Sequence, residues 1–190
     1  MRMKHVFRKN EVFHIWASQS QQDGRSSGGG KVFFVGDTIY SYGHHFPMGR
    51  IIMVREERVA LITTRTYSST ASVHVRATWR AVHNILHFGV PNIKANSVVE
   101  HKDNWKDIMD RCYQHVEKAR GARVWIESYT NQAISLECEA DQYAATFGLG
   151  VPPVGYVISV LPSLLDKIER SRVLRDPRGE EAQKVLGGVA

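Results

Sequence analysis

The chain has 190 residues, 43% of them hydrophobic and 23% charged, a composition that suits a globular fold and excludes wholesale disorder. The formal charge of +6 is unevenly placed, with 12 basic and 5 acidic side chains in residues 1–90 against 13 and 14 in residues 91–190. The longest apolar run, Val154 to Leu161, falls far short of the ~20 residues of a membrane span. No apolar segment of the length of a signal peptide comes after the basic N-terminus, so the expectation is a cytoplasmic protein, not secreted and without a membrane partner.

The first third reads as sheet. Val12–Ala17 is strand-like, Lys31–Val35 is rich in β-formers, and Thr38–Tyr42 alternates large with small side chains. Gly36-Asp37 between the last two is a two-residue hairpin turn, with glycine supplying the positive φ. Arg50–Arg55 and Val59–Thr66 flank the polar tip Glu56-Glu57-Arg58 and form a second hairpin. Two loops interrupt this sheet. Ser18–Gly30 is polar, ends in three glycines and reads as mobile. Gly43–Gly49 concentrates His44, His45 and Pro47 between glycines.

The remainder reads as helix. Val75, Trp79, Val82 and Leu86 recur at steps of four, three and four, which predicts a helix from Thr70 to about His87. Gly89-Val90-Pro91 ends it and begins a linker to about Lys102. Asp103 is the expected N-cap of a second helix that Gly121 terminates. A third spans about Ala122–Phe147, and a fourth about Ser163–Arg172. The expected fold class is therefore α+β, an antiparallel β-meander of about five strands packed with about four C-terminal helices. It is read as one domain over 1–190, with a sub-boundary near 89–96 that separates residues 1–88 from a helical part, 97–175, and a charged tail, 176–190. Cys112 and Cys138 show no metal-type spacing or disulfide framework and read as buried helical thiols in a reducing setting.

One candidate surface emerges from the charge pattern. Arg76, Arg80, His83 and His87 follow the helical repeat and would form a single row. The hydroxyl-rich Thr63–Thr70 precedes the helix and, with Arg65, would offer phosphate a helix N-terminus. Tyr40 and Tyr42, on one face of a strand, would stack on bases. With Arg25 from the polar loop, these eight residues define an expected nucleic-acid interface. The alternative for each is a solvated helix face or core aromatics. No cofactor is expected and no metal site. His83 and His87 have i, i+4 spacing, but no glutamate accompanies them. Glu137 and Asp141, with Glu139 nearby, read as a solvated acidic face; a metal-dependent nuclease built on them with His44 and His45 is the enzymatic alternative.

The block Gly36–Met48 (GDTIYSYGHHFPM), with Trp16–Ser20 upstream and Thr63–Ser68 downstream, resembles a family of bacteriophage-borne and related bacterial proteins. Their shared pattern is a tryptophan–glutamine segment, a glycine-rich loop, G-D-T-I-Y-S-Y-G-x-H-F-P and T-T-R-x-Y-S. The resemblance spans about Val12–Phe88 and implies phage provenance, hence a host-cell cytoplasm, without implying an activity. The expected function is a phage-type nucleic-acid-binding accessory protein that uses DNA or RNA as partner. The rival is a virion structural or host-factor-interacting protein, or a homo-oligomer, that binds no nucleic acid.

Overall fold

The computed structural model describes residues 4–8, 10–66 and 68–175, with no side-chain description for 173–175. The expected tail 176–190 and Tyr67 lie outside the described residues. The fold is α+β: among the described residues, a seven-stranded mixed sheet and five helices. Among the described residues, no helix is long and apolar enough to cross a membrane. Two compact units are present. The first runs to Asp107 and includes Tyr143–Leu149; the second holds Ile108–Gln142 and the chain from Gly150 on.

In the first unit the elements are β1 (Val6–Phe7), α1 (Glu11–Ser18), β2 (Asp23–Ser26), β3 (Val32–Val35), β4 (Thr38–Ser41), β5 (Pro47–Val54), β6 (Glu57–Thr63), α2 (Ser69–Ala81) and β7 (Leu86–Val90). Strand order follows chain order. From β2 to β6 every pairing is antiparallel, whereas β1 pairs with β2 and β6 with β7 in parallel. A parallel neighbour needs a crossover, and α1 and α2 supply them.

Val12–Ala17 is therefore helix, not strand. Its buried residues, Val12, Phe13, Trp16 and Ala17, repeat at a helical spacing, and the Glu11 carboxylate accepts the Arg8 N–H at 2.9 Å to close the first turn. That bond holds the Glu11 carboxyl below its usual range. The fifth strand of the meander comes instead from within the glycine-rich loop, where Asp23, Gly24 and Arg25 pair with Val35, Phe34 and Phe33. Gly24 is required there: a Cβ would lie 2.7 Å from the Phe34 ring and 2.8 Å from that of Phe7.

Helices α1 and α2 cover one face of the sheet. Phe34, Ile39, Met48, Ile51 and Ile62 meet Val12, Phe13 and Trp16 of α1 and Ala71 and Val75 of α2 in one core. Trp16 is fully buried and its Nε1 donates to the Asp37 carbonyl at 2.9 Å. The Asp37 carboxylate takes Arg50 Nε at 2.8 Å, and its neighbouring Gly36 has the φ of +57° that the hairpin turn needs. Much of the Gly36–Met48 block is thus scaffold.

Helix α2 ends at Ala81, six residues earlier than expected, and Leu86–Val90 adds an edge strand to the sheet. The first turn of α2 is closed by Ser68, whose Oγ accepts Ala71 N–H at 3.1 Å. Helix α3 (Val98–Gly121) begins at a capping box rather than at Asp103: Ser97 Oγ accepts the Glu100 N–H, and the Glu100 carboxylate accepts the Ser97 N–H in return. It ends at Gly121, as expected. Helices α3 and α4 (Ile126–Phe147) each contribute to both units.

The second unit is helical. Helix α5 (Tyr156–Arg175) packs Leu164 and Ile168 against Ala119 and Ile126. Glu137 and Asp141 are no solvated acidic face: Glu137 is 6% exposed and accepts Val157 N–H at 2.9 Å, and Asp141 accepts Val154 N–H at 3.1 Å. They hold the chain entering α5 by satisfying backbone donors that a helix start leaves open. Cys112 is buried as expected, and burial first, then the Glu137 charge, pushes its thiol up to about 11. Cys138 is exposed instead.

Candidate nucleic-acid interface

The expected row of Arg76, Arg80, His83 and His87 does not form. Arg76 and Arg80 are exposed on α2, one turn apart, and neither is in an ion pair or side-chain hydrogen bond among the described residues. His83 lies beyond the helix end, where its Nδ1 faces the Arg80 carbonyl at 3.0 Å. His87 is on β7, its Nδ1 at 2.7 Å from the Ile85 carbonyl and its ring edge-on to Trp79 at 5.3 Å.

Tyr40 and Tyr42 also part company. Tyr40 is half-buried on β4, stacked on Phe33 of β3 with centroids 5.2 Å apart and planes at 15°. Tyr42 has left the strand with φ +59°, a left-handed backbone that breaks the alternation of a strand. Its ring turns to the other side, 5.7 Å from the buried His74 of α2 and with Lys31 Nζ 5.7 Å above it. His74 in turn meets Ser41 Oγ at 2.7 Å.

A different set of side chains converges. Arg25, Phe33 and Tyr40 are successive cross-strand partners on β2, β3 and β4, and directly opposed residues share a face. Val32, Phe34 and Ile39 belong to the core under α1 and α2, so this row occupies the opposite face. Tyr40 is paired next with Pro47 on β5, immediately after the histidine loop. That loop is tightly built: Phe46 N–H donates to the Gly43 carbonyl, Ser41 N–H donates to that of Phe46, and Phe46 is buried. Burying Phe46 leaves His44 and His45 exposed. A Cβ at position 43 would come within 2.8 Å of His45 Nδ1, so the close fold of the loop needs Gly43.

His44 closes an aromatic trio, edge-on to Phe33 at 4.9 Å and to Tyr40 at 4.8 Å. It also lines a cleft of about 290 Å³ with His45, Phe46, Pro47, Thr63, Arg65, Asn92 and Lys94 among its walls. Arg65 comes after β6 and Lys94 after β7, so both cations stand past the carboxyl ends of these two parallel strands. At the other end of the row, Arg25 and Phe33 line a groove of about 470 Å³ that also contains the paired His5 and Asp23.

The far wall of the cleft is fixed from beneath. Asn104 is fully buried; its Oδ1 accepts Asn92 N–H at 3.1 Å, and its Nδ2 donates to the Asn92 carbonyl at 2.8 Å. The same Nδ2 donates to Tyr143 Oη at 3.1 Å, and Tyr143 meets His101 Nδ1 at 2.7 Å. Burial lowers the His101 pKa against the opposing pull of Glu100, and burial followed by Lys118 and Arg111 lowers that of His115.

This gives a pH dependence of stability. Each imidazole stays neutral when folded and binds a proton more readily when unfolded, so stability falls as pH drops below the ordinary histidine value of about 6.5. It stops falling below the lowered folded-state value. The lowered carboxylates, Glu11 and Glu100, act only at lower pH, through and below their usual range. Urea midpoints are expected to decrease between pH 7.5 and pH 5, and His101→Asn to flatten that slope. An unchanged slope in the variant would contradict the assignment.

Among the described residues, no group of three or more His, Cys, Asp or Glu is placed to hold a metal ion. Lys94, Phe33 and the wall at Pro91–Lys94 were not among the expected site residues. For Lys94 and this wall the signal is the run Ile85–Val90, whose β-rich composition marks a strand and so places Pro91–Lys94 at a strand end. No protein-family model, curated protein or solved structure matches the chain.

Proposed function

We propose that the protein binds nucleic acid over the β2–β4 part of the sheet face opposite α1 and α2, from Arg25 over Phe33 and Tyr40 to the cleft of Arg65 and Lys94, as an accessory protein of phage type. The observation that carries this reading is the convergence of Arg65, Lys94, His44 and His45 on one cleft that shares His44 with an aromatic trio. Guanidinium and ammonium groups suit phosphate oxygens, and flat rings beside them suit base faces. The phage provenance rests on the G-D-T-I-Y-S-Y-G-x-H-F-P and T-T-R-x-Y-S segments, and both contribute residues to this cleft. The reading assigns no catalytic residue.

The test is fluorescence anisotropy with a mixed-sequence oligonucleotide at several salt concentrations. Three phosphate-facing cations, Arg25, Arg65 and Lys94, predict a slope of log K against log salt of about −2 to −3. No binding at low salt, or a slope near zero, rejects the reading. A second reading, association with another protein or another copy of the chain, is favoured by α5. There Ile158 is 71% and Leu165 53% exposed, seven residues apart on one helix face. A pull-down that survives nuclease treatment, together with absent nucleic-acid binding, would support it.

A further inference from the structure

We infer that the nucleic acid bound is single-stranded, laid across the sheet with at least one base against Tyr40 and His44; this rests on the nucleic-acid reading above. The rings are the reason. Phe33 and Tyr40 stand half-buried on the pleated face, and His44 meets both edge-on, so the three together offer a ligand a patch of ring surface. Bases in a duplex have their faces covered by their neighbours, and only an unstacked base can use such a surface.

The placement of charge agrees. Cations stand at both ends of the aromatic row, Arg25 on β2 and Arg65 with Lys94 beyond β6 and β7. Strands lie ~4.8 Å apart, so β2 and β6 are separated by about 19 Å. A flexible single strand can set phosphates at both ends while its bases cross the rings between them. The residues of the row lie within sheet strands rather than on a helix that could enter a groove, and the exposed helix cations, Arg76 and Arg80, belong to α2 on the opposite face.

The experiment compares one sequence as single-stranded DNA, single-stranded RNA and DNA duplex at equal salt, read by anisotropy with the full chain. Single strands are expected to bind at least tenfold more tightly than duplex. Tyr40→Ala is expected to lose about tenfold on the single strands and nothing on the duplex, while Tyr40→Phe retains binding. His44→Ala, at an exposed loop position, gives the same test without disturbing a strand. Equal or tighter duplex binding overturns the inference and leaves the nucleic-acid reading standing, as does unchanged single-strand affinity in both Tyr40→Ala and His44→Ala. Binding to none of the three overturns both.

Discussion

Trp16→Ala is expected to destabilise the first unit by about 3–5 kcal/mol, the cost of removing a fully buried large aromatic. The ring has no solvent exposure and sits where α1 meets β5, so close that a Cβ on Gly49 would lie 2.9 Å from its Cη2. Thr78 of α2 and Ile62 of β6 each lie 3.0 Å from that same Cβ position. The indole therefore fills the junction of both covering helices with the sheet, and its neighbours cannot collapse into the space without moving an element. Its Nε1 bond to the Asp37 carbonyl ties α1 to the β3–β4 turn. Trp16→Phe keeps most of the volume and loses that bond, for a smaller cost of about 1–2 kcal/mol. Urea denaturation followed by far-UV circular dichroism measures both; a loss under about 1 kcal/mol in Trp16→Ala, well below the usual cost of such a truncation, would show that α1 is not integral to the core.

Arg65→Glu with Lys94→Glu is expected to lower affinity for single-stranded nucleic acid by about 100-fold or more at low salt. Under the proposed reading each reversal removes a phosphate contact and adds a repulsion, and the two effects compound in a shared cleft. Arg76→Glu with Arg80→Glu is expected to change affinity by less than about threefold, because those arginines lie on the helix that covers the other face. The two double variants have the same change in net charge, so long-range electrostatics cannot account for a difference between them. Equal losses would return the interface to the helix. A loss only in the α2 variant would exclude the sheet face.

The class of fold was legible in the sequence because the second half of the chain carries helical stripes and the hairpins around Gly36-Asp37 and Glu56-Glu57 carry turn chemistry. Both hairpins are present, and β3 to β6 lie close to their expected positions. Errors fell where a local pattern suits two structures. Val12–Ala17 is apolar on every side, which short buried helices and strands share. Leu86 fits the α2 stripe by spacing, yet the turn after Ala81 and the β-rich composition of Ile85–Val90 make it the start of β7. Asp23–Ser26 has no strand-forming composition at all; it is a strand because β3 offers it an unpaired edge. Of the site residues, Arg25 and Tyr40 share one face, which only pairing register reveals, and Arg65 lines the cleft beyond β6. Phe33 and Lys94 join them through tertiary proximity that no spacing in the chain records.

The division of the first unit has a consequence for the order in which the protein can be made. Each strand of the sheet pairs with the one just before it, so the sheet can grow as the chain leaves the ribosome, with short connections to close from β2 to β6 and a helical crossover at each edge. Completion is another matter. Tyr143 and Phe147, which pack on Phe88 and His101, are synthesised only after the helical residues 108–142. Until then β7 lacks the cover on its outer side, and Asn104 lacks the tyrosine hydroxyl that helps fix it under Asn92. A nascent chain stalled near residue 107 would therefore hold most of the sheet but lack the Tyr143 support under Asn92, so the far wall of the cleft is fixed late, with the return of α4.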